Sequence, residues 1–429
     1  MPKKTDWFTH DRFGMFIHWG LYAIPARGEW VRSNERISVE DYQPFFEEFS
    51  PDRYDPAAWA KAARNAGMKY AVMTAKHHDG FCLFDSALTD YKATNAPNCR
   101  RDLIREYIEA FRAEGIKIGL YYSLLDWHHP DYPHYGDKIH PMRDNEAFKG
   151  VSHNFGNYLE YMHGQVRELC TNYGKIDLFW FDFSYDGLAG EAWRATDLVR
   201  MIRSYQPDVL IDNRLEVSGE GFGSLLSGSP SEYSGDFVSP EQIIPPAGVR
   251  DVNGAPVDWE ACVTMNNSWG YTHLDKCFKP ADMVVKKLVE CVSKGGNLLL
   301  NVGPDAHGDI PGESLEILEK VGRWMRVNGK SIYGCTYSGM EKPEYGRITK
   351  NAQTGTLYYH VYENQVGVLP LMGLKKERIK RIRMLADGSE MKLSGFWAAY
   401  NYPDIPFISF GDSPLLPDPV DTVIEVEVE

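Results

Sequence analysis

The chain has 429 residues, of which 43 % are hydrophobic and 25 % charged, and its net charge is −14. This is the balance of a globular protein rather than a disordered one. The acidic excess argues against nucleic acid or an anionic membrane as partner, because both need a basic footprint, and no run of about 18 apolar residues offers a membrane-crossing helix.

The first residues, MPKKTDW, lack the apolar stretch of a signal peptide. A cytoplasmic location is therefore expected, or a periplasmic or secreted one if a leader has been removed. Apolar strand candidates then alternate with amphipathic helices. A strand at 14–17 runs into His18. A helix at 55–66 stops at Gly67, and the strand 69–75 follows, leading into Lys76-His77-His78-Asp79. A helix at 101–114 precedes the strand 116–122. A helix at 155–173 precedes 176–181, which ends at Asp182. A helix at 192–204 precedes 209–211, which ends in Asp212-Asn213-Arg214. Residues 215–260 are rich in Gly, Ser and Pro and read as a long loop, a length that is usually functional in a compact domain. A strand at 261–265 leads to Asn266. A helix at 281–293 with Gly295-Gly296 precedes the strand 297–302, and a helix covers 313–328.

Seven short apolar strands alternating with helices imply parallel βαβ units, and hence a (β/α)₈-like barrel, regular or irregular. An open doubly wound sheet is the alternative, but no GxGxxG or GxxxxGK[ST] is present to support its usual nucleotide site. Beyond Gly329 the pattern changes to alternating runs at 356–362, 378–385 and 422–428. These read as an antiparallel β-sandwich. The expected division is a barrel over 1–336 and a β-sandwich over 337–429. The seven cysteines, Cys82, Cys99, Cys170, Cys262, Cys277, Cys291 and Cys335, are odd in number with no CxxC. They read as buried free thiols rather than a zinc site or a disulfide framework.

Barrel chemistry sits at the carboxyl ends of strands. Those ends carry His18-Trp19, His77-His78-Asp79, Tyr121-Tyr122-Ser123, Asp182, Asp212-Asn213-Arg214 and Asn266-Asn267. Any one of them could be a satisfied structural residue, whereas the whole set at matching positions points to a site. Adjacent His77 and His78 would point opposite ways on a strand, and no HxH or HExxH occurs, so a metal centre is disfavoured. Asp182 after Phe179-Trp180-Phe181 could simply cap the next segment. It could equally be a carboxylate in an aromatic pocket. Glycoside hydrolysis needs two such carboxylates, and Glu220, Glu232, Asp236, Glu241 and Glu260 are candidates for the second. The 11 Trp, 25 Tyr and 20 Phe also suit a cleft that stacks on the apolar faces of sugars.

Several motifs occur together and in order: Phe13-Gly14-Met15-Phe16-Ile17-His18-Trp19-Gly20, Lys76-His77-His78-Asp79-Gly80-Phe81, Tyr121-Tyr122-Ser123, Trp180-Phe181-Asp182, Trp259-Glu260, Ser268-Trp269-Gly270-Tyr271 and the run GGNLLLNVGP at 295–304. The set resembles the α-L-fucosidases of glycoside hydrolase family 29 over roughly residues 7–335, and the tail suits that family's β-sandwich. The resemblance implies a retaining enzyme for fucosides or fucosylated glycans, with Asp182 as nucleophile and no cofactor or metal. It implies that His18, His77, His78 and a tyrosine of the 121–122 pair, Tyr121 or Tyr122, bind the fucose hydroxyls. It places Glu29, Trp30 and Arg214 at the sugar pocket. The fucose methyl group is expected against aromatics such as Trp180, Phe183 or Trp269. Leu215 departs from the family, which commonly has Trp there. Two residues compete for the acid/base role: Glu241 is preferred and Glu260 is the alternative. Homo-oligomerisation stays open. The competing readings are a metal-dependent amidohydrolase-like barrel and a catalytically dead carbohydrate-binding homologue.

Overall fold

The computed structural model describes residues 3–185, 187–413 and 415–429; Met1 and Pro2 of the amino-terminal stretch lie outside the described residues. Seven parallel strands form the first sheet: β1 (Phe13–Ile17), β2 (Tyr70–Lys76), β3 (Lys117–Ser123), β4 (Leu178–Asp182), β5 (Leu210–Ile211), β6 (Glu260–Thr264) and β7 (Asn297–Val302). Their order is β5-β4-β3-β2-β1-β7-β6. All seven coincide with the strands expected from sequence. Each is a short apolar run buried on both faces, as parallel strands covered by helices must be.

The gap between β5 and β6 is closed by residues 236–242. Ile211 O accepts from Asp236 N at 2.7 Å, Val238 N donates to Asp258 O at 3.0 Å, and Gln242 N donates to Cys262 O at 2.9 Å. Parallel bridges pair Asp212 with Phe237, Val238 with Trp259 and Glu241 with Cys262. A polar segment inside the expected long loop therefore serves as the barrel's eighth stave. Pro240 cannot donate to a ladder, so the segment pairs only intermittently. Gly235, at φ 82°, lets it enter: a Cβ there would lie 2.2 Å from the Asp212 carbonyl oxygen.

The covering helices follow their local signals. Pro56–Ala66 has Asp55 accepting from Ala58 N, Pro at its first position and a left-handed Gly67 after it. Leu103–Ala113 buries Leu103, Ile104, Tyr107, Ile108 and Phe111, the stripe that a 3.6-residue period predicts. Phe155–Asn172, Ala195–Tyr205, Ala281–Ser293 and Gly312–Asn328 complete the cover.

The rest of the chain is antiparallel. Strands β8 (Cys335–Tyr337), β9 (Gly346–Asn351), β10 (Leu357–Val361), β12 (Ile379–Met384) and β14 (Thr422–Val428) form one sheet, ordered β12-β14-β10-β9-β8. A smaller sheet pairs β11 (Leu369–Pro370) with β13 (Phe407–Ile408). An apolar cluster including Tyr345, Leu357, Tyr359, Leu369, Ile408 and Ile424 lies within this part. Wholly buried His360 bridges Asp421 at 2.7 Å and Thr349 at 3.1 Å, and Thr349 donates to Ser331 O at 2.8 Å, linking the sheet to the barrel's last helical turn. Six cysteines are buried free thiols as expected, but Cys277 is exposed because it lies on the surface loop after β6.

Candidate active site

A cavity of about 620 Å³ opens at the carboxyl ends of the strands. Its walls include His18, Glu29, Trp30, His77, Tyr121, Trp180, Asp182, Arg214, Glu241 and Trp269. Eight separate segments of the chain thus converge where barrel geometry places chemistry. A larger cavity of about 1000 Å³ lies at the opposite end, between Arg12, Trp259 and Gly295 of the barrel and Tyr337 and Arg347 of the antiparallel part. None of the strand-end residues lines it.

Asp182 ends β4. Its Oδ1 receives Arg214 Nη1 at 2.8 Å and Phe183 N at 2.9 Å, and its Oδ2 receives the Tyr121 hydroxyl at 3.2 Å. Burial pushes its pKa up to about 6, against the pull of the Arg214 cation. The second Nη of the same guanidinium reaches Glu241 Oε2 at 3.1 Å, and Trp269 Nε1 donates to Glu241 Oε1 at 3.2 Å. Arg214 is itself fixed by Ser239, whose Oγ accepts from Nε at 2.8 Å and whose carbonyl accepts from Nη2 at 3.0 Å, and it lies 4.6 Å over the Trp180 ring. One planar fork therefore holds both carboxylates. Glu241 is 34 % exposed at the cavity wall, against 18 % for Asp182. Each carboxylate is followed by a non-glycine residue in left-handed backbone, Phe183 at φ 79° and Gln242 at φ 55°. Such strain persists where the surroundings over-determine it, and it gathers at active sites.

The histidines are neutral. His18 Nδ1 bonds Asn301 Oδ1 at 2.7 Å, and Asn301 Nδ2 donates to Trp269 O at 2.8 Å, which fixes the amide orientation. His18 Nδ1 is therefore the donor, and Nε2 is left as an acceptor suited to a hydroxyl. Burial pushes its pKa down to about 3. His77 lies parallel to Tyr121 at 5.1 Å, and its buried Nδ1 has no protein partner. His78 is held differently from its neighbour: it stacks on Trp127 at 3.8 Å, behind Trp30, and is not among the cavity-lining residues. Both of its buried nitrogens lack protein partners. Among the described residues, no group of three or more His, Cys, Asp or Glu side chains is arranged to hold a metal.

Strand alternation separates the two tyrosines. Tyr121 faces the cavity, whereas the Tyr122 hydroxyl donates to Gln165 Oε1 at 2.7 Å on the helix side. Glu29 is buried, accepting from Gly270 N at 2.8 Å and Ser268 Oγ at 3.3 Å, so it ties the Trp30 loop to the Trp269 loop. Asp212 is buried and receives Phe181 N at 3.1 Å, bracing β4 just before Asp182. Sequence reasoning missed Ser239 and Asn301 as the anchors of Arg214 and His18, although both lie inside quoted or adjacent motifs. It also missed Lys138, Ile139, Tyr185 and Gln242 on the cavity wall, which sit on loops without a pattern of their own.

Glu260 is elsewhere. It is the first residue of β6, level with Asn297 at the start of β7, and it receives the Tyr70 hydroxyl. It is 0 % exposed and does not line the cavity. Burial pushes its pKa up to about 8, opposed by the hydrogen bond from the Tyr70 hydroxyl. An acid with a raised folded pKa contributes fully below its ordinary value of 4.5 and loses that contribution as pH rises through 8. Glu260→Gln, which mimics the protonated acid, is therefore expected to fold normally. It should gain on the order of 3 kcal/mol over the parent at pH 7, with little difference near pH 4.5. Urea unfolding at pH 4.5–8 measures this; parallel curves for the two proteins would contradict it.

The chain matches the family model described as Alpha-L-fucosidase over residues 2–330. Alpha-L-fucosidase isoenzyme 1 from Paenibacillus thiaminolyticus is 59 % identical, covering 100 % of this chain and 99 % of that one, with a TM-score of 0.96. An alpha-L-fucosidase GH29 from Bacteroides thetaiotaomicron, solved as a trapped covalent intermediate, is 29 % identical over 100 % and 97 % of the two chains, with a TM-score of 0.83. Tissue alpha-L-fucosidase from Mus musculus is 28 % identical over 89 % of this chain and 83 % of its own length. The strand-end carboxylates thus sit in a scaffold shared over its whole length with the two solved structures, and the chain belongs to the alpha-L-fucosidases of glycoside hydrolase family 29.

Proposed function

We propose that this fucosidase removes terminal α-L-fucose with retention of configuration, using Asp182 as nucleophile and Glu241 as general acid and base. The observation that carries the assignment is the single Arg214 guanidinium holding both carboxylates. Retaining glycosidases keep their two carboxyl groups about 5–5.5 Å apart, and neighbours on one guanidinium suit that spacing. Asp182 attacks the anomeric carbon while Glu241 gives its proton to the leaving oxygen. The bond to the aglycone breaks and a fucosyl ester forms on Asp182. Glu241, now a carboxylate, takes a proton from water, which attacks the same carbon and frees Asp182.

His18 Nε2 accepts a fucose hydroxyl, and His77, on the cavity wall, offers its unpartnered Nδ1 to another, whereas His78 stands behind Trp30 and backs the pocket. Buried polar atoms without partners cost stability, and a sugar hydroxyl offsets that cost only on binding. Trp180 and Trp269 present apolar faces to the methyl group. The bond cleaved and its stereochemistry are tested together by proton NMR of an aryl α-L-fucoside during hydrolysis. The first product is expected to be α-L-fucose, which then mutarotates. Initial β-L-fucose, or no hydrolysis of any fucoside, would overturn the proposal.

A further inference from the structure

We infer that Gly219 is a positioning residue for Glu241, holding the acid/base on Arg214 by the close approach of a backbone that carries no side chain. The inference rests on the assignment of Glu241 as acid/base. A Cβ built on Gly219 would lie 2.6 Å from Glu241 Oε2, 2.6 Å from Arg214 Nη2 and 2.7 Å from Arg214 Nη1. No atom pair that close survives, so something must shift.

The loop is not free to give way. Asn213 Nδ2 holds Gly221 O at 3.1 Å, Gly221 N closes a turn on Ser218 O at 3.1 Å, and Glu216 Oε2 receives Ser224 N at 2.7 Å. The Asn213 amide oxygen also accepts from Ser239 N and Oγ. One side chain therefore fixes both the loop that carries Gly219 and the stave that carries Glu241. Arg214 is 1 % exposed and tied to Ser239 and Asp182. The softest of the groups met is the Glu241 carboxylate, the most exposed partner. A methyl group at 219 would accordingly turn the Glu241 carboxylate away and also press on Nη1 and Nη2 of Arg214, which lie 2.7 and 2.6 Å from it, and through Nη1 on Asp182. Glycine is needed here for space.

The variant Gly219→Ala separates this role from a structural one. Its melting temperature is expected to match the parent. For a fucosylated oligosaccharide, whose leaving group needs acid help, kcat/KM is expected to fall roughly tenfold to hundredfold. For an activated aryl fucoside, which leaves without a proton, kcat/KM should fall much less, only by what the pressure on Arg214 and Asp182 costs. In a Glu241→Ala background, Gly219→Ala should add no more than that smaller loss. Equal losses on both substrates, a further loss in the double variant as large as that of the single variant on the oligosaccharide, no loss at all, or a markedly lower melting temperature would each overturn the inference. Azide rescue of Glu241→Ala, measured alongside, tests the underlying assignment. Rescue with any of those outcomes condemns only Gly219, whereas no rescue condemns the acid/base assignment and the inference together.

Discussion

Asp182→Asn is expected to fold like the parent and to lose roughly 10⁴-fold or more in kcat, the scale on which removing a unit of covalent machinery is felt. Asparagine keeps the shape: its Oδ1 can still accept from Phe183 N, and its Nδ2 can donate to the Tyr121 hydroxyl oxygen instead. It cannot form a fucosyl ester. Arg214 keeps Glu241 and Ser239, so its buried charge is not left alone. The carboxylate is itself a burden on the fold, because burial raises its pKa to about 6. Its contribution to stability is complete below the ordinary 3.8 and lost as pH rises through 6, so at pH 7 the neutral amide should be at least as stable. The parent's kcat/KM should fall with acid below about pH 6, where Asp182 takes up the proton that blocks attack. Steady-state kinetics with an aryl fucoside and a thermal melt suffice. A folded Asp182→Asn with near-parent turnover would rule Asp182 out as nucleophile.

Glu241→Ala and Glu260→Ala should fail in different ways. Without Glu241, an activated aryl fucoside still forms the fucosyl ester, but water then lacks its base and the ester accumulates. Turnover is expected to drop roughly 10²–10⁴-fold, the usual worth of general acid–base help. Azide needs no base and can enter the vacated space beside Arg214, so it should restore turnover and yield fucosyl azide of retained configuration. Glu260 lies at the amino end of β6, under Tyr70, with no access to the cavity. Glu260→Ala should leave a buried cavity and a Tyr70 hydroxyl proton without an acceptor, although Asn297 Nδ2 still donates to its oxygen, and azide should not help. Rescue of Glu260→Ala alone would exchange the two roles.

The barrel was legible because its strands are short apolar runs with glycine-stopped amphipathic helices between them, two local signals that tertiary packing reinforces. The eighth stave was not. Residues 236–242 carry Asp236, Ser239, Pro240 and Glu241, and they pair only at scattered points, so neither hydrophobicity nor periodicity marks them. Glu241 was therefore found as a loop residue, although it stands on the barrel wall. The choice between Glu241 and Glu260 depends on where along a strand each stands: Glu260 begins β6, whereas Glu241 pairs beside Cys262, two residues further toward the carboxyl end, and reaches the cavity wall. The strands β8, β9, β11 and β13 escaped notice because they are short or polar, and their partners lie far along the chain. His78 was named beside His77 from the family resemblance; the chain turns at His78 and Asp79 and sends the second ring onto Trp127, an orientation that only the folded loop fixes. Arg214 was named from its motif, whereas its bridging of two carboxylates is a product of the folded arrangement alone.

The covalent role of Asp182 is tested most directly by trapping the ester. The enzyme is incubated with 2-fluoro-fucosyl fluoride, whose fluorine slows hydrolysis of the intermediate, then digested and mapped by tandem mass spectrometry. A single 2-fluoro-fucosyl adduct on Asp182, absent from Asp182→Asn, is the predicted result. An adduct on Glu241, Glu260 or another side chain, or time-dependent inactivation of Asp182→Asn at the parent rate, would contradict it.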